Sequence, residues 1–117
     1  MPTANTRLLI HGATGRMGQA LLRLCAEGVV EGCEVVAAVS RRPAQRVVDG
    51  VPQFAASELA GVPAFDVAID FSLPDGFDAL LAQCRQRGAA LVSGTTGLSE
   101  AQRQALAEAA AEIPVLW

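Results

Sequence analysis

Three features of the 117-residue chain predict an α/β fold, a doubly wound and mainly parallel sheet with helices on both faces. Short aliphatic runs alternate with stretches of helical periodicity along nearly the whole length, the pattern of strands joined by crossover helices. Glycines at 12, 15 and 18 stand between the first aliphatic run and the first helical stretch. The segments that follow the runs, HGATGRMG, SRR, FSLPDG and SGTTG, are polar or glycine-rich. Right-handed crossovers would gather all of them on one sheet edge.

Arg7–Ile10 is a short aliphatic run of the kind found in buried parallel strands. From Gly15 the pattern turns helical, with Met17, Leu21, Leu24 and Cys25 on one face as far as about Glu27, and Gly28 and Gly32 supplying the stop. Cys33–Val39 is the second strand. Pro43, Gly50, Pro52 and Gly61 punctuate the next stretch, which has room for a short strand near Gln53–Ala55 and a helical turn near Ser57–Ala60. Phe65–Phe71 is a strand. Asp75 is placed to cap a helix whose positions Phe77, Leu80, Leu81 and Cys84 follow the i, i+3, i+4, i+7 template, and Gly88 ends it. Ala89–Ser93 is a strand, and Ser99 opens an alanine-rich helix with Gln102 in capping-box spacing. That helix runs to about Glu112, and Val115–Trp117 begins a further strand beyond Pro114.

Hydrophobic residues make up 51% of the chain and charged residues 18%, the balance of a folded globule rather than a disordered segment. Its length suits one domain, taken as residues 1–117. A net charge of −3 argues against a nucleic-acid or anionic-membrane partner, which needs a clustered cationic face. All nine basic residues are Arg, so lysine nucleophiles and Schiff bases are excluded within this chain. The N-terminus lacks a signal-peptide pattern, and no apolar run approaches the ~20 residues of a membrane span; a cytoplasmic protein is expected. Cys25, Cys33 and Cys84 have no metal-type spacing and read as buried free thiols.

The four edge loops carry the chemistry. In Gly12-x-x-Gly15-x-x-Gly18 the glycines allow a sharp turn, close approach to a pyrophosphate and tight helix packing, and the helix N-terminus supplies amides and a favourable dipole. A Rossmann-like dinucleotide site follows from this setting between strand and helix. An NAD site usually places Asp or Glu at the end of the second strand. Here stand Ser40 and Arg41: the hydroxyl repels no phosphate, and the guanidinium suits a 2′-phosphate. NADPH is therefore the expected cofactor in preference to NADH. Gly94-Thr95-Thr96-Gly97 offers two hydroxyls to a carboxamide or a carboxylate, and Phe71 is either a wall for a nicotinamide or an ordinary core residue. His11 and Asp70, at the ends of different strands, lack a visible third partner for acid–base work.

Together GATGRMG at 12–18, IDFS at 69–72 with Pro74 and Gly76, and SGTTG at 93–97 followed by a helix and IPVLW resemble the N-terminal half of the dihydrodipicolinate reductase family. The resemblance implies an oxidoreductase of lysine and diaminopimelate biosynthesis. Such enzymes reduce 4-hydroxy-tetrahydrodipicolinate to tetrahydrodipicolinate with NADPH or NADH. It implies that Gly12, Ala13, Thr14, Gly15, Arg16 and Met17 bind the dinucleotide phosphates. Ser40 and Arg41 match the family's acid-then-Arg pair, and the departure at Ser40 supports NADPH. Gly94, Thr95 and Thr96 belong near the nicotinamide.

The same resemblance places paired histidines, a catalytic lysine and a Ser-Gly-Thr loop for the dicarboxylate substrate in a C-terminal domain, which also assembles a homotetramer. A chain with one His and no Lys supplies none of these, so no catalytic residue and no metal ligand is assigned within residues 1–117. The chain alone is expected to bind cofactor without turnover. The alternative is a stand-alone NADP-sensing module without catalysis.

Overall fold

The computed structural model describes residues 6–28 and 31–117; the N-terminal reading above falls partly on residues 1–5, outside them. Seven strands form one sheet: β1 (Thr6–His11), β2 (Cys33–Ser40), β3 (Val47–Val48), β4 (Val51–Ala55), β5 (Val67–Asp70), β6 (Ala90–Ser93) and β7 (Val115–Leu116). Their order is β3-β4-β2-β1-β5-β6-β7. All neighbours pair in parallel except β3 with β4. The chain builds outward from β1 in one direction and then, from β5, in the other. The gap between the C-terminal ends of β1 and β5 is therefore the switch point at which such sheets bind ligands.

Strand side chains alternate between faces, and both faces are covered. Leu9, Ala37, Val39, Ala68 and Leu91 pack with Phe77, Leu80, Leu81 and Cys84 of α2 (Phe77–Arg87) and Leu106 and Ala109 of α3 (Glu100–Ala109). Leu8, Ile10 and Ala38 pack on the other face with Leu21, Leu22 and Cys25 of α1 (Arg16–Ala26). The four apolar positions expected of α2 are all buried. Gly88 closes that helix in the left-handed conformation, φ +67°, which glycine adopts without steric cost. The capping box of α3 is present, with Ser99 Oγ accepting from Gln102 N–H at 3.1 Å and Gln102 Oε1 accepting from Ser99 N–H at 2.9 Å.

Three expectations need correction. Met17 and Leu24 are 58% and 40% exposed. The packed face of α1 runs through Gly18, Leu21, Leu22 and Cys25, because Gly18 lies so close to Gly12 and Ala13 that the helix is turned away from the predicted stripe. Asp75 does not cap α2. It sits inside a 3-10 turn, Pro74–Gly76, which delivers Gly76 as the N-cap without a side-chain bond. Cys25 and Cys33 are half-buried rather than buried; only Cys84 is enclosed, and burial pushes its thiol up to about 12.

At the short strand expected near Gln53, β4 has a partner that the sequence reading lacks: β3 folds back on it as a hairpin. Asp49 and Gly50 both have positive φ, +50° and +79°, the signature of the two-residue turn that joins twisted strands most easily. The expected helical turn is the 3-10 segment Ala56–Gly61. Among the described residues no helix is long and apolar enough to cross a membrane.

Candidate functional site

The described buried polar side chains are His11, Ser40, Asp70 and Ser93, and each is the last residue of its strand, β1, β2, β5 and β6 respectively. Hydrophobic strands thus end on polar groups at one sheet edge, around the switch point. A cleft of about 750 Å³ opens there. Its walls include Gly12, Thr14 and Gly15 from the loop after β1, Ser40 and Arg41 from the end of β2, and Phe71 from the end of β5.

The loop after β1 is fixed from within. Gly12 and Ala13 both donate their N–H to Val39 O, at 2.9 and 3.1 Å, and Gly15 N–H donates to Gly12 O at 3.1 Å. The three glycines have three different reasons to be glycine. Gly12 has φ +80°, and a Cβ there would lie 2.8 Å from the backbone of Phe71 and Ser72. A Cβ on Gly18 would lie 2.5 Å from Gly12 O and 2.8 Å from Ala13 Cα. Gly15 has an ordinary φ of −75°, and its Cβ would meet only Gly12 O at 3.4 Å. Neither fold nor backbone demands glycine at 15; its bareness keeps the cleft open at the N-terminus of α1, where the first-turn amides have no partner within the helix.

Ser40 gives a second test of what the cleft suits. Its Oγ is, among the described residues, the one buried side-chain N or O atom without a hydrogen-bond partner. Such a group costs about 1–3 kcal/mol, a deficit that a ligand hydroxyl or phosphate oxygen in the cleft would remove. Arg41, alongside, is exposed and paired with Asp75 across the mouth of the cleft. The bare helix N-terminus, the orphaned hydroxyl and the guanidinium all fit a dinucleotide with a phosphorylated ribose.

Asp70 is the hub of the site. It lies beside His11 in the β1–β5 register and beside Ser93 in the β5–β6 register, and it is fully buried. Its Oδ1 accepts from Ser72 N–H at 3.0 Å and Ser72 Oγ at 2.5 Å, and lies 3.0 Å from His11 Nδ1. Its Oδ2 accepts from Thr95 Oγ1 at 2.7 Å and from Ser93 Oγ at 3.3 Å. Burial pushes this carboxyl up, but the bonds from His11, Ser72 and Thr95 and from the Ser72 backbone outweigh it and hold it at about 2.

Of the residues singled out from the sequence, Gly12, Thr14, Gly15, Ser40 and Arg41 meet in the cleft. Ala13 is enclosed, with its carbonyl accepting from Gln19 Nε2 at 2.6 Å, so it shapes the loop. Arg16 and Met17 are exposed on the first turn of α1. Gly94, Thr95 and Thr96 are not on the cleft wall; Gly94 adjoins Phe71, whose ring would be 2.6 Å from a Cβ there, and Thr95 is bonded to Asp70. Phe71 is half-buried and lines the cleft, so it is a wall and not a core residue. His11 and Asp70, separate in the sequence, do meet, and their missing third partner is Ser72. The signal was present, since each ends an aliphatic run on a single polar residue. Among the described residues no group of three or more His, Cys, Asp or Glu could hold a metal.

A family model described as dihydrodipicolinate reductase, N-terminus, matches residues 6–117. The 4-hydroxy-tetrahydrodipicolinate reductase of Stenotrophomonas maltophilia (strain R551-3) is 74% identical over 112 residues, which is 95% of this chain and 46% of that protein. The protein of the same name from Xanthomonas campestris pv. campestris (strain B100) is 64% identical over 118 residues, all of this chain and 49% of its own. The chain spans about half the length of the curated relatives it matches. Among solved structures, dipicolinate-bound dihydrodipicolinate reductase from Paenisporosarcina sp. TG-14 shares the fold. Its TM-score is 0.67 at 24% identity over 88% of this chain and 42% of that one.

Proposed function

This chain belongs to the dihydrodipicolinate reductase family, as its N-terminal part, and from that premise we propose that residues 1–117 form a dinucleotide-binding domain that takes NADPH in preference to NADH. The orphaned Ser40 hydroxyl carries the reading. A buried oxygen without a partner, in a cleft with Arg41 and a bare helix N-terminus, suits a phosphorylated ribose, which would draw the Arg41 guanidinium away from Asp75. The phosphates would rest on the amides of the Gly12–Met17 segment, the 2′-phosphate on Ser40 and Arg41, and the nicotinamide beyond Phe71 at Gly94–Thr96. When bound, a reduced nicotinamide supplies a hydride. The chain's own residues grip the nucleotide, fix its direction along the strand ends and shield one ring face with Phe71.

In the longer protein the hydride acceptor would be 4-hydroxy-tetrahydrodipicolinate, a small dicarboxylate, on the lysine and diaminopimelate route. We place that protein in the cytoplasm as a homotetramer; the net charge of −3 of the present chain supports only the further reading that this part has no nucleic-acid or anionic-membrane partner. The 117 residues hold one His and no Lys, which supports cofactor binding without turnover by this chain alone. Fluorescence titration of the purified chain tests the preference, and an assay with the dicarboxylate substrate tests the inactivity. NADPH is expected to bind with the smaller Kd. Equal constants for NADPH and NADH would reject the preference, and turnover above a no-enzyme control would reject the inactivity.

A further inference from the structure

Thr95 carries one hydroxyl proton, and the structure shows where it goes. Its Oγ1 stands 2.7 Å from Asp70 Oδ2, and an ionised carboxylate accepts hydrogen bonds without donating any. The proton therefore points back into the protein, and only lone pairs remain for anything bound outside. Ser72 Oγ, at 2.5 Å from Oδ1, and Ser93 Oγ, at 3.3 Å from Oδ2, are oriented by the same carboxylate. His11 Nδ1 faces Oδ1 at 3.0 Å, so Nδ1 is a protonated nitrogen of that ring. One buried charge thus sets the donor–acceptor sense of three hydroxyls and one imidazole around three strand ends.

We infer that Asp70 makes the Thr95 hydroxyl an acceptor toward the ligand and thereby selects a carboxamide over a carboxylate at the loop after β6, beyond Phe71. The inference rests on the dinucleotide reading above. A ligand with its ribose at Ser40 and its phosphates over Gly12–Gly15 extends across β1 and past Phe71. The loop after β6 is the next beyond that of β5 in strand order, and its Gly94 adjoins the Phe71 ring, so a far ring that passes Phe71 meets this loop. There a carboxamide N–H₂ donates to the Thr95 lone pairs. A carboxylate has no proton to give and faces both those lone pairs and the Asp70 charge behind them.

Asp70→Asn preserves shape and changes this sense. The Ser72 backbone N–H can only donate, so the carbonyl of the substituted side chain stays on that side and its amide N–H₂ turns to Thr95. Thr95 then accepts from that amide, and its own proton is free to face the ligand. The test is equilibrium titration with NADPH, with its nicotinic-acid counterpart, and with 2′,5′-ADP, which occupies the adenosine end alone. The unmodified chain is expected to prefer NADPH over the carboxylate analogue by about tenfold, the scale of one hydrogen bond gained against one repelled. Asp70→Asn is expected to bring that ratio down to about one to three, and Thr95→Ser to leave it intact.

Thr95→Val is expected to weaken NADPH by about fivefold, the value of one neutral hydrogen bond. In each variant 2′,5′-ADP should bind within about twofold of the unmodified chain. An unchanged ratio in a variant that still binds 2′,5′-ADP overturns the inference. If Asp70→Asn loses 2′,5′-ADP as well, the Thr95 pair decides alone, since it leaves the buried carboxylate in place. Absence of NADPH binding by the unmodified chain overturns the dinucleotide reading itself, a different result from an unchanged ratio.

Discussion

Alanine substitution of the three loop glycines, one at a time, should separate folding from binding. At Gly12 an alanine must hold φ +80°, which costs about 1–2 kcal/mol for a residue with a Cβ. That Cβ also meets the Phe71 and Ser72 backbone at 2.8 Å, and strand ends cannot yield as a side chain would, adding about 1–3 kcal/mol. Gly18→Ala suffers the second penalty without the first, its Cβ lying 2.5 Å from Gly12 O. Gly15→Ala suffers neither. Loss of glycine at a helix N-cap costs roughly 0.5–1 kcal/mol, and the stiffer unfolded chain returns about 0.4–1 kcal/mol. Urea unfolding should therefore show losses of about 2–5 kcal/mol for Gly12→Ala, about 1–3 for Gly18→Ala and about zero for Gly15→Ala. NADPH titration of Gly15→Ala should nonetheless show binding weakened by about tenfold or more, because the new methyl would stand where the proposed dinucleotide phosphates approach the backbone. A Gly15→Ala chain as unstable as Gly18→Ala, or one binding NADPH as before, would refute the division of labour.

Two further outcomes follow from the same strand ends. Asp70 is held at about 2 against an ordinary 3.8, so its ionised form stabilises the fold by about 2 kcal/mol above pH 4. That contribution disappears as pH falls from about 4 toward 2, with about 1 kcal/mol gone by pH 3. Comparing urea midpoints at pH 6 and pH 3 should show a smaller acid loss in Asp70→Asn, and equal losses would exclude the hub. A Gly94→Ala methyl would press on the Phe71 ring at 2.6 Å. The ring can rotate toward the cleft, so stability should fall by less than about 1 kcal/mol while NADPH affinity drops several-fold; a large stability loss with intact binding would contradict this.

The sequence disclosed most where one physical cause governed a whole segment. Buried strands needed aliphatic runs, and α2 needed a stripe wide enough to reach the core, so Phe77, Leu80, Leu81 and Cys84 were legible. Helix α1 defeats a periodicity reading because periodicity counts large apolar residues, whereas the contact that sets its angle is the absence of a side chain at Gly18. Asp75 looks like a cap because it precedes an apolar stripe, but an arginine thirty-four positions away in sequence claims it. The hairpin is announced by Asp49-Gly50 between valines, a signal masked by the neighbouring prolines. Within the site, the Gly12–Gly15 and Ser40–Arg41 segments were readable from spacing. The bonding of Thr95 to Asp70, across 25 residues, was not, because spacing along a chain does not encode which hydroxyl turns inward.

The β3–β4 hairpin also shortens the bare margin of the sheet. Without it β4 would present five residues of bare backbone, a template on which the strand of another molecule could lie down and extend the sheet from copy to copy. The hairpin covers the first two residues of that template, Val51 and Pro52, with a strip of two, Val47 and Val48, too short to receive a further strand firmly. Pro52, opposite Val47, has no N–H to offer and narrows the template from within. A turn of two residues thus shortens the template from which a second molecule could extend the sheet into a fibre.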